Sequence, residues 1–180
     1  MKTISQLRLE AKDDTLPQIY CDMDMVLVDF LGGANEAMKA AGLDARFDDK
    51  GQHNQKDKKW DALKQTPKFW ANLKPMPDAM TLWKYIKKHD PYILSTPSER
   101  MPSSKPEKRE WIKKHLGSVS QINLVPREDK QEFALDSEGR PAVLIDDYIK
   151  NIKEWESKGG IGILHKNANS TIQQLKKLGY

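Results

Sequence analysis

Two aspartates one residue apart, Asp22 and Asp24, follow directly on the apolar run Ile19-Tyr20-Cys21. A run of this kind suits a short strand, and the carboxyl ends of strands in an open α/β sheet are where reactive groups are displayed. A spacing of two puts both side chains on one strand face if the extended geometry persists. If it breaks, one carboxylate can face a ligand while a backbone carbonyl reaches a metal. Two anions this close repel, and Mg²⁺ is the usual cation for a site of carboxylate, carbonyl and phosphate oxygens. Taken alone, the pair is equally well a polar turn after a buried strand.

The same pattern recurs twice. Residues 91–94 are a second apolar run that ends in Ser95-Thr96, and residues 142–145 are another that ends in Asp146-Asp147. Each has a modest alternative. Ser95 and Thr96 can cap a turn, Asp146 or Asp147 can cap the next helix, and Lys130, in Arg127-Glu128-Asp129-Lys130, can be a solvated lysine. Three strand ends that all turn polar, in a fold that gathers strand ends in one crevice, favour a shared site over three separate caps.

Elements that position these ends alternate along the chain. Helix is expected over residues 34–41 after Gly32-Gly33, over 78–89 with Leu82, Trp83, Tyr85 and Ile86 as its apolar face, over 106–116 before Gly117, over 148–157, and over 169–178. Strands are expected at 121–125 and 161–164, with a turn at 136–141 and Gly159-Gly160 before the last strand. Strand and helix in alternation define an α/β fold, a Rossmann-like three-layer core around a mostly parallel sheet. Residues 34–77 lack a strand pattern beyond the first helix and are rich in Lys, Gln, Asp and isolated aromatics such as Trp60. They read as a small helical cap inserted after the first strand, leaving 1–33 and 78–180 as core.

A chain of 180 residues suits one domain with such an insertion. Its 30 Lys and Arg against 26 Asp and Glu give a net charge of +4, which favours anionic partners without specifying nucleic acid. The single cysteine, Cys21, excludes an intrachain disulfide and fits a reducing compartment. Residues Met1 to Leu9 do not read as a signal peptide and no apolar stretch is long enough to span a membrane, so a cytoplasmic protein without a membrane partner is expected. His53, His89, His115 and His165 are scattered and have no second cysteine to join, which disfavours zinc.

The run Asp22-Met23-Asp24-Met25-Val26-Leu27-Val28-Asp29-Phe30 resembles the first motif of the haloacid dehalogenase (HAD) superfamily, in particular its 5′(3′)-deoxyribonucleotidase branch. Ile93-Leu94-Ser95-Thr96-Pro97 resembles the second motif, Arg127-Glu128-Asp129-Lys130 the third and Leu144-Ile145-Asp146-Asp147 the fourth. Phe69-Trp70-Ala71-Asn72-Leu73-Lys74-Pro75 and the stretch from Glu107-Lys108 to Leu116-Gly117 resemble further parts of that branch. In one respect the chain departs from it: Met25 stands where the branch usually has glycine.

The resemblance implies a HAD fold and a Mg²⁺-dependent phosphatase acting on nucleoside monophosphates. Asp22 would be the nucleophile that forms an aspartyl-phosphate, and Asp24 the acid and base. Ser95 would donate to a phosphate oxygen and Lys130 would balance charge. Asp22, Asp24, Asp146 and Asp147 would hold the metal, Asp24 through its backbone carbonyl. Thr96, Lys108, Phe30, Phe69 and Trp70 are candidates for substrate binding, the aromatic rings enclosing a nucleobase. Phe69 and Trp70 can equally be cap core, and Lys108 can equally lie on a solvated helix face. Lys56, Lys58, Lys59, Lys64 and Lys68 form a charged cap surface that can be simply solvated or steer anions. The alternatives are a phosphatase of another small phosphoester or of a nucleic-acid end, and a non-catalytic nucleic-acid-binding module. A homo-oligomer is compatible with all of them.

Overall fold

Five parallel strands in the order β3-β2-β1-β4-β5 form the frame of the protein. They are β1 (Ile19–Cys21), β2 (Tyr92–Ser95), β3 (Ile122–Leu124), β4 (Val143–Asp146) and β5 (Ile161–Leu164). The computed structural model describes residues 16–44, 46–47 and 56–180. Residues Met1 to Leu9, His53 and the side chain of Lys56 lie outside the described residues.

Among the described residues six α-helices accompany the strands: α1 (Phe30–Ala40), α2 (Lys56–Gln65), α3 (Ala79–Ile86), α4 (Ser104–His115), α5 (Ile149–Ser157) and α6 (Ala168–Lys177). Alternating residues of the central strand serve the two faces. Ile19 and Cys21 are buried in one cluster with Leu82 and Ile86 of α3, Trp111 and Ile112 of α4 and Leu175 of α6. Tyr20 points to the other face, where its ring lies 5.6 Å from Tyr92 and 5.6 Å from Trp155 of α5. A sheet covered on both sides must be apolar throughout, and the burial of Val143, Leu144 and Ile145 fits that rule.

From β1 the chain builds outward through β2 and β3, then crosses back to place β4 and β5 on the other side of β1. Consecutive connections therefore leave β1 and β4 in opposite senses. The carboxyl ends of these two strands border the crevice that such a topology opens.

Three findings differ from the sequence expectation. Helix α1 starts at Phe30, four residues before the expected 34, because Asp29 is its N-cap and accepts a hydrogen bond from the Gly32 amide at 2.9 Å. Gly32 is thus a site of close approach, not a break: a Cβ there would lie 2.2 Å from Asp29 Oδ2. Arg127–Phe133, expected as a connection, is a 3₁₀ helix. Helix α4 begins two residues before Pro106, which sits in its first turn where the missing amide is not needed.

Helices α1 and α2 and the turns that follow form one segment between β1 and α3. The two passages joining it to the core run side by side: Asp29 donates to the Lys74 carbonyl and Met76 to the Leu27 carbonyl, each at 2.9 Å. Lys59, counted with the charged cap surface, is instead buried and donates to the Arg46 carbonyl. Lys64 and Lys68 are exposed and paired, with Asp61 at 3.4 Å and Glu110 at 2.9 Å.

Gly160 fixes how closely α5 approaches the sheet. A Cβ there would lie 2.2 Å from Nε1 of Trp155, whose indole is fully buried and donates to the Ala142 carbonyl at 3.0 Å. Chemical denaturation of Gly160→Ala should show a loss of about 1–3 kcal/mol, since a packed indole cannot yield. Stability equal to the parent chain would contradict this packing.

Candidate active site

The ladder between β1 and β4 continues one residue past β1, with Asp22 N donating to the Ile145 carbonyl at 2.9 Å. The chain then leaves the strand line. The amides of Val26, Leu27 and Val28 converge on the Met23 carbonyl at 3.2, 2.8 and 2.8 Å. This tight turn separates the two aspartates that a continued strand would have kept on one face.

Met25 sits within the turn at φ 60°, a left-handed conformation that costs a side-chain-bearing residue roughly 1–2 kcal/mol and glycine almost nothing. Its amide donates to the Val28 carbonyl at 2.8 Å. The chain thus keeps a glycine conformation with methionine in it.

Asp22 and Asp146 share one cation. Nζ of Lys130 lies 3.0 Å from Asp22 Oδ1 and donates to Asp146 Oδ2 at 2.8 Å, and all three residues are buried. The 3₁₀ helix carries Lys130 to this edge. Asp146 also accepts from the Tyr148 amide and from Nδ2 of Asn151, each at 2.9 Å. Burial disfavours the Lys130 ammonium, but the two carboxylates outweigh it and hold its pKa above the ordinary lysine value.

Carboxylate oxygens of Asp22, Asp146 and Asp147 all lie within 4.8 Å of one another. At an effective dielectric near 20, two such charges about 5 Å apart repel by roughly 3 kcal/mol. Three carboxylates against the one ammonium of Lys130 leave a surplus of negative charge. It shows in the titration of the group: burial and the charges of Asp22 and Asp146 push Asp147 up to about 7, and burial and Asp22 raise Asp146.

Asp24 has a different partner. Its Oδ2 accepts from Lys108 at 2.6 Å, and the same ammonium donates to Ser95 Oγ at 3.0 Å. Burial raises the Asp24 carboxyl despite the opposing charge of Lys108. Lys108 is wholly buried, so it occupies the site and not a solvated helix face. Oδ1 of Asp24 and Oγ1 of Thr96 are buried without a hydrogen-bond partner, and both residues line the same cavity.

That cavity has a volume of about 740 Å³. Asp22, Asp24 and Lys130 form its floor, and Phe30, Phe47, Trp60 and Trp70 of the cap form its wall. Phe30 and Trp70 stack at 5.1 Å with planes 12° apart, and Phe47 meets both Phe30 and Trp60 edge-on. Phe69 lies behind Phe30, 6.1 Å away, and is not among the residues lining the cavity. Cys21 is buried beside Asp22 and its thiol is raised well above the ordinary value by burial, which makes it part of the packing.

Sequence reasoning passed over Asn151 and Phe47 as site residues. Asn151 lies in the first turn of α5, four residues after Asp147, a position that faces back to the strand end. Phe47 offered no periodicity; it is held by its amide donating to Asn35 Oδ1 at 2.8 Å.

Comparison with known proteins places most of the chain in one family. The family model described as "5' nucleotidase, deoxy (Pyrimidine), cytosolic type C protein" matches residues 16–177. A curated protein of Vibrio phage KVP40, named "Putative 5'(3')-deoxyribonucleotidase", is 33% identical over 143 residues, 78% of this chain and 72% of its own. A hydrolase from Streptococcus pneumoniae TIGR4 superposes with a TM-score of 0.58 at 10% identity, covering 89% of this chain and 98% of its own. A HAD family enzyme from Bacteroides thetaiotaomicron, solved with magnesium and inorganic phosphate, gives a TM-score of 0.51 at 15% identity over 84% of this chain and 94% of its own.

The fold and the motif order define a HAD-fold hydrolase of the phosphatase kind. Within that class the chain belongs to the deoxyribonucleotidase family, the cytosolic type C 5′-nucleotidases.

The position of Asp147 has a measurable sign. A carboxyl raised from its ordinary 3.8 to about 7 on folding binds protons more tightly in the folded chain, so stability falls as pH rises between those values. In metal-free buffer, Asp147→Asn should therefore gain stability relative to the native chain from about pH 4 to about pH 7, and the gain should level off above. A difference independent of pH would show that Asp147 is not held in this environment.

Proposed function

We propose that the protein hydrolyses the phosphomonoester of deoxyribonucleoside monophosphates through an aspartyl-phosphate on Asp22. The unequal environment of the two aspartates carries this reading. Asp22 is ion-paired with Lys130 beside Asp146, whereas Asp24 is set apart on Lys108 and its carboxyl is raised by burial despite that lysine. One carboxylate suited to attack and one suited to donate a proton are what the two halves of a phosphomonoester cleavage need.

In the first half, a carboxylate oxygen of Asp22 attacks phosphorus in line, the ester P–O bond breaks, and Asp24 gives its proton to the departing alkoxide oxygen. In the second, Asp24 takes a proton from water, the water oxygen bonds to phosphorus, and the Asp22–phosphate bond breaks to restore the carboxylate. Ser95 and Thr96 donate to the non-bridging oxygens, and Lys130 and Lys108 offset the charge gathering there.

The donor set fits a hard divalent cation: Asp22, Asp146 and Asp147 are all-oxygen ligands with surplus negative charge, and the backbone carbonyl of Asp24 would complete the set. Bound Mg²⁺ would lower the repulsion between nucleophile and phosphate and orient the attack. Magnesium and phosphate in the Bacteroides thetaiotaomicron structure support that choice.

Residues 34–77 act in this reading as the substrate-selecting cap on a core of 1–33 and 78–180, with Phe30 at the core's edge beside it. Phe30, Trp70, Phe47 and Trp60 offer apolar and edge surfaces to a nucleobase, backed by Phe69. The deoxyribonucleotidase family supports the nucleotide assignment.

Mg²⁺-dependent phosphate release, measured across nucleotides, sugar phosphates and end-phosphorylated oligonucleotides, tests the function. Deoxyribonucleoside monophosphates should be preferred, with Asp22→Asn lowering kcat roughly 10⁴-fold or more and Asp24→Asn about 10²–10⁴-fold. Preference for a phosphoester without a base would reject the substrate, and undiminished turnover in Asp22→Asn would reject the nucleophile.

A further inference from the structure

Helix α4 fastens the segment that carries Trp70 to the core at successive turns. Glu107 Oε2 accepts the Trp70 amide at 2.9 Å, Glu110 accepts from Lys68 Nζ at 2.9 Å, and Trp111 Nε1 donates to the Leu73 carbonyl at 2.8 Å. Positions 107, 110 and 111 share one side of the helix by their spacing of three and four. The segment so held continues to α1. Leu73 packs where a Cβ on Gly33 would lie 2.1 Å from its Cδ2, one turn from Phe30.

Lys108, the residue after Glu107, stands at the join. Its ammonium contacts Asp24 and Ser95 and lies 4.8 Å from the Trp70 ring centroid. Neighbouring residues of one rigid helical turn therefore hold the acid and the wall in register.

We infer that Glu107 is a positioning residue for nucleotide selection: its carboxylate fixes the main chain at Trp70 and so sets the Phe30–Trp70 wall at the right distance from Asp24. Simple helix stabilisation does not account for this side chain. Glu107 lies in the first turn of α4, where an acid favours the helix electrostatically, yet the hydrogen bond it makes goes to an amide 37 residues away in the cap. The Trp70 amide lies in the turn that follows Lys68, itself at φ 48°; the Asn72 amide closes that turn on the Lys68 carbonyl at 3.0 Å, and the Trp70 amide goes to Glu107. Glu107 acts through Trp70 and does not touch the reacting atoms.

This rests on the nucleotide reading above and can fail separately from it. The test compares kcat and KM on a deoxyribonucleoside 5′-monophosphate and on deoxyribose 5-phosphate, which carries the same phosphate and sugar without a base. Glu107→Gln keeps an oxygen that can accept the Trp70 amide, whereas Glu107→Asp and Glu107→Ala withdraw it. On the nucleotide, the Asp and Ala variants should raise KM about tenfold, the scale of one hydrogen bond to a charged group. On deoxyribose 5-phosphate they should match the native chain, and the Gln variant should stay within about twofold of native on both substrates. An equal loss on both substrates, or a Gln variant as impaired as the Asp variant, would overturn the positioning role. If Glu107→Ala does not fold, the Gln and Asp variants still decide the matter. A native enzyme that makes no distinction between the two substrates would instead overturn the nucleotide reading.

Discussion

Crowding of negative charge at the carboxyl ends of β1 and β4 is the constraint on which the rest of the structure depends. Asp22, Asp146 and Asp147 converge there, and the one ammonium placed between them, that of Lys130, leaves a surplus. Isolated buried carboxylates are costly enough to unfold a marginal domain or to hold protons at neutral pH. The raised position of Asp147 is a sign of that cost. Much nearby architecture limits the damage: amide and amide-side-chain donors from Tyr148 and Asn151 serve Asp146, and a 3₁₀ helix carries Lys130 to the site. What the protein side leaves unbalanced is the charge that the proposed divalent cation would offset.

Asp24 is removed from that crowding by the turn at Met23–Val28. Had β1 run on, two adjacent anions would have competed for one lysine. Instead the left-handed Met25 sends Asp24 toward Lys108 and Ser95, and the chain accepts backbone strain to keep the two carboxylates in different electrostatic settings. Strain held at a catalytic loop is a recurrent pattern, and here its geometric effect can be named. Because α4 carries both Lys108 and contacts to the segment around Trp70, it links Asp24 to the aromatic wall.

Much of the core was legible in the sequence because its signals are local. Short β-rich runs ending in Asp22, Ser95 and Asp146 name the strands and the site edge together, and a fold with alternating helices brings those edges into one crevice. Lys108 was named only through the family resemblance: in a lysine-rich helix nothing local separates one buried ammonium from its solvated neighbours. Gly32 was placed ahead of the helix because its role, room for the Asp29 carboxylate, exists only in the folded chain. Phe47 and Trp60 sit in a charged stretch with weak helical periodicity, so their meeting with Phe30 across the cavity is a tertiary fact. Met25 was visible as a departure, but its meaning required a backbone angle.

Calorimetric titration of Mg²⁺ into the native chain and into Asp146→Asn tests most directly whether the surplus charge at β1 and β4 is a cation site. Binding of one ion per chain in the native protein, weakened at least tenfold in the variant with the fold retained, is the outcome that the convergence of these carboxylates predicts. A native chain that takes up no Mg²⁺, or a variant that binds it as tightly as the native protein, would contradict it.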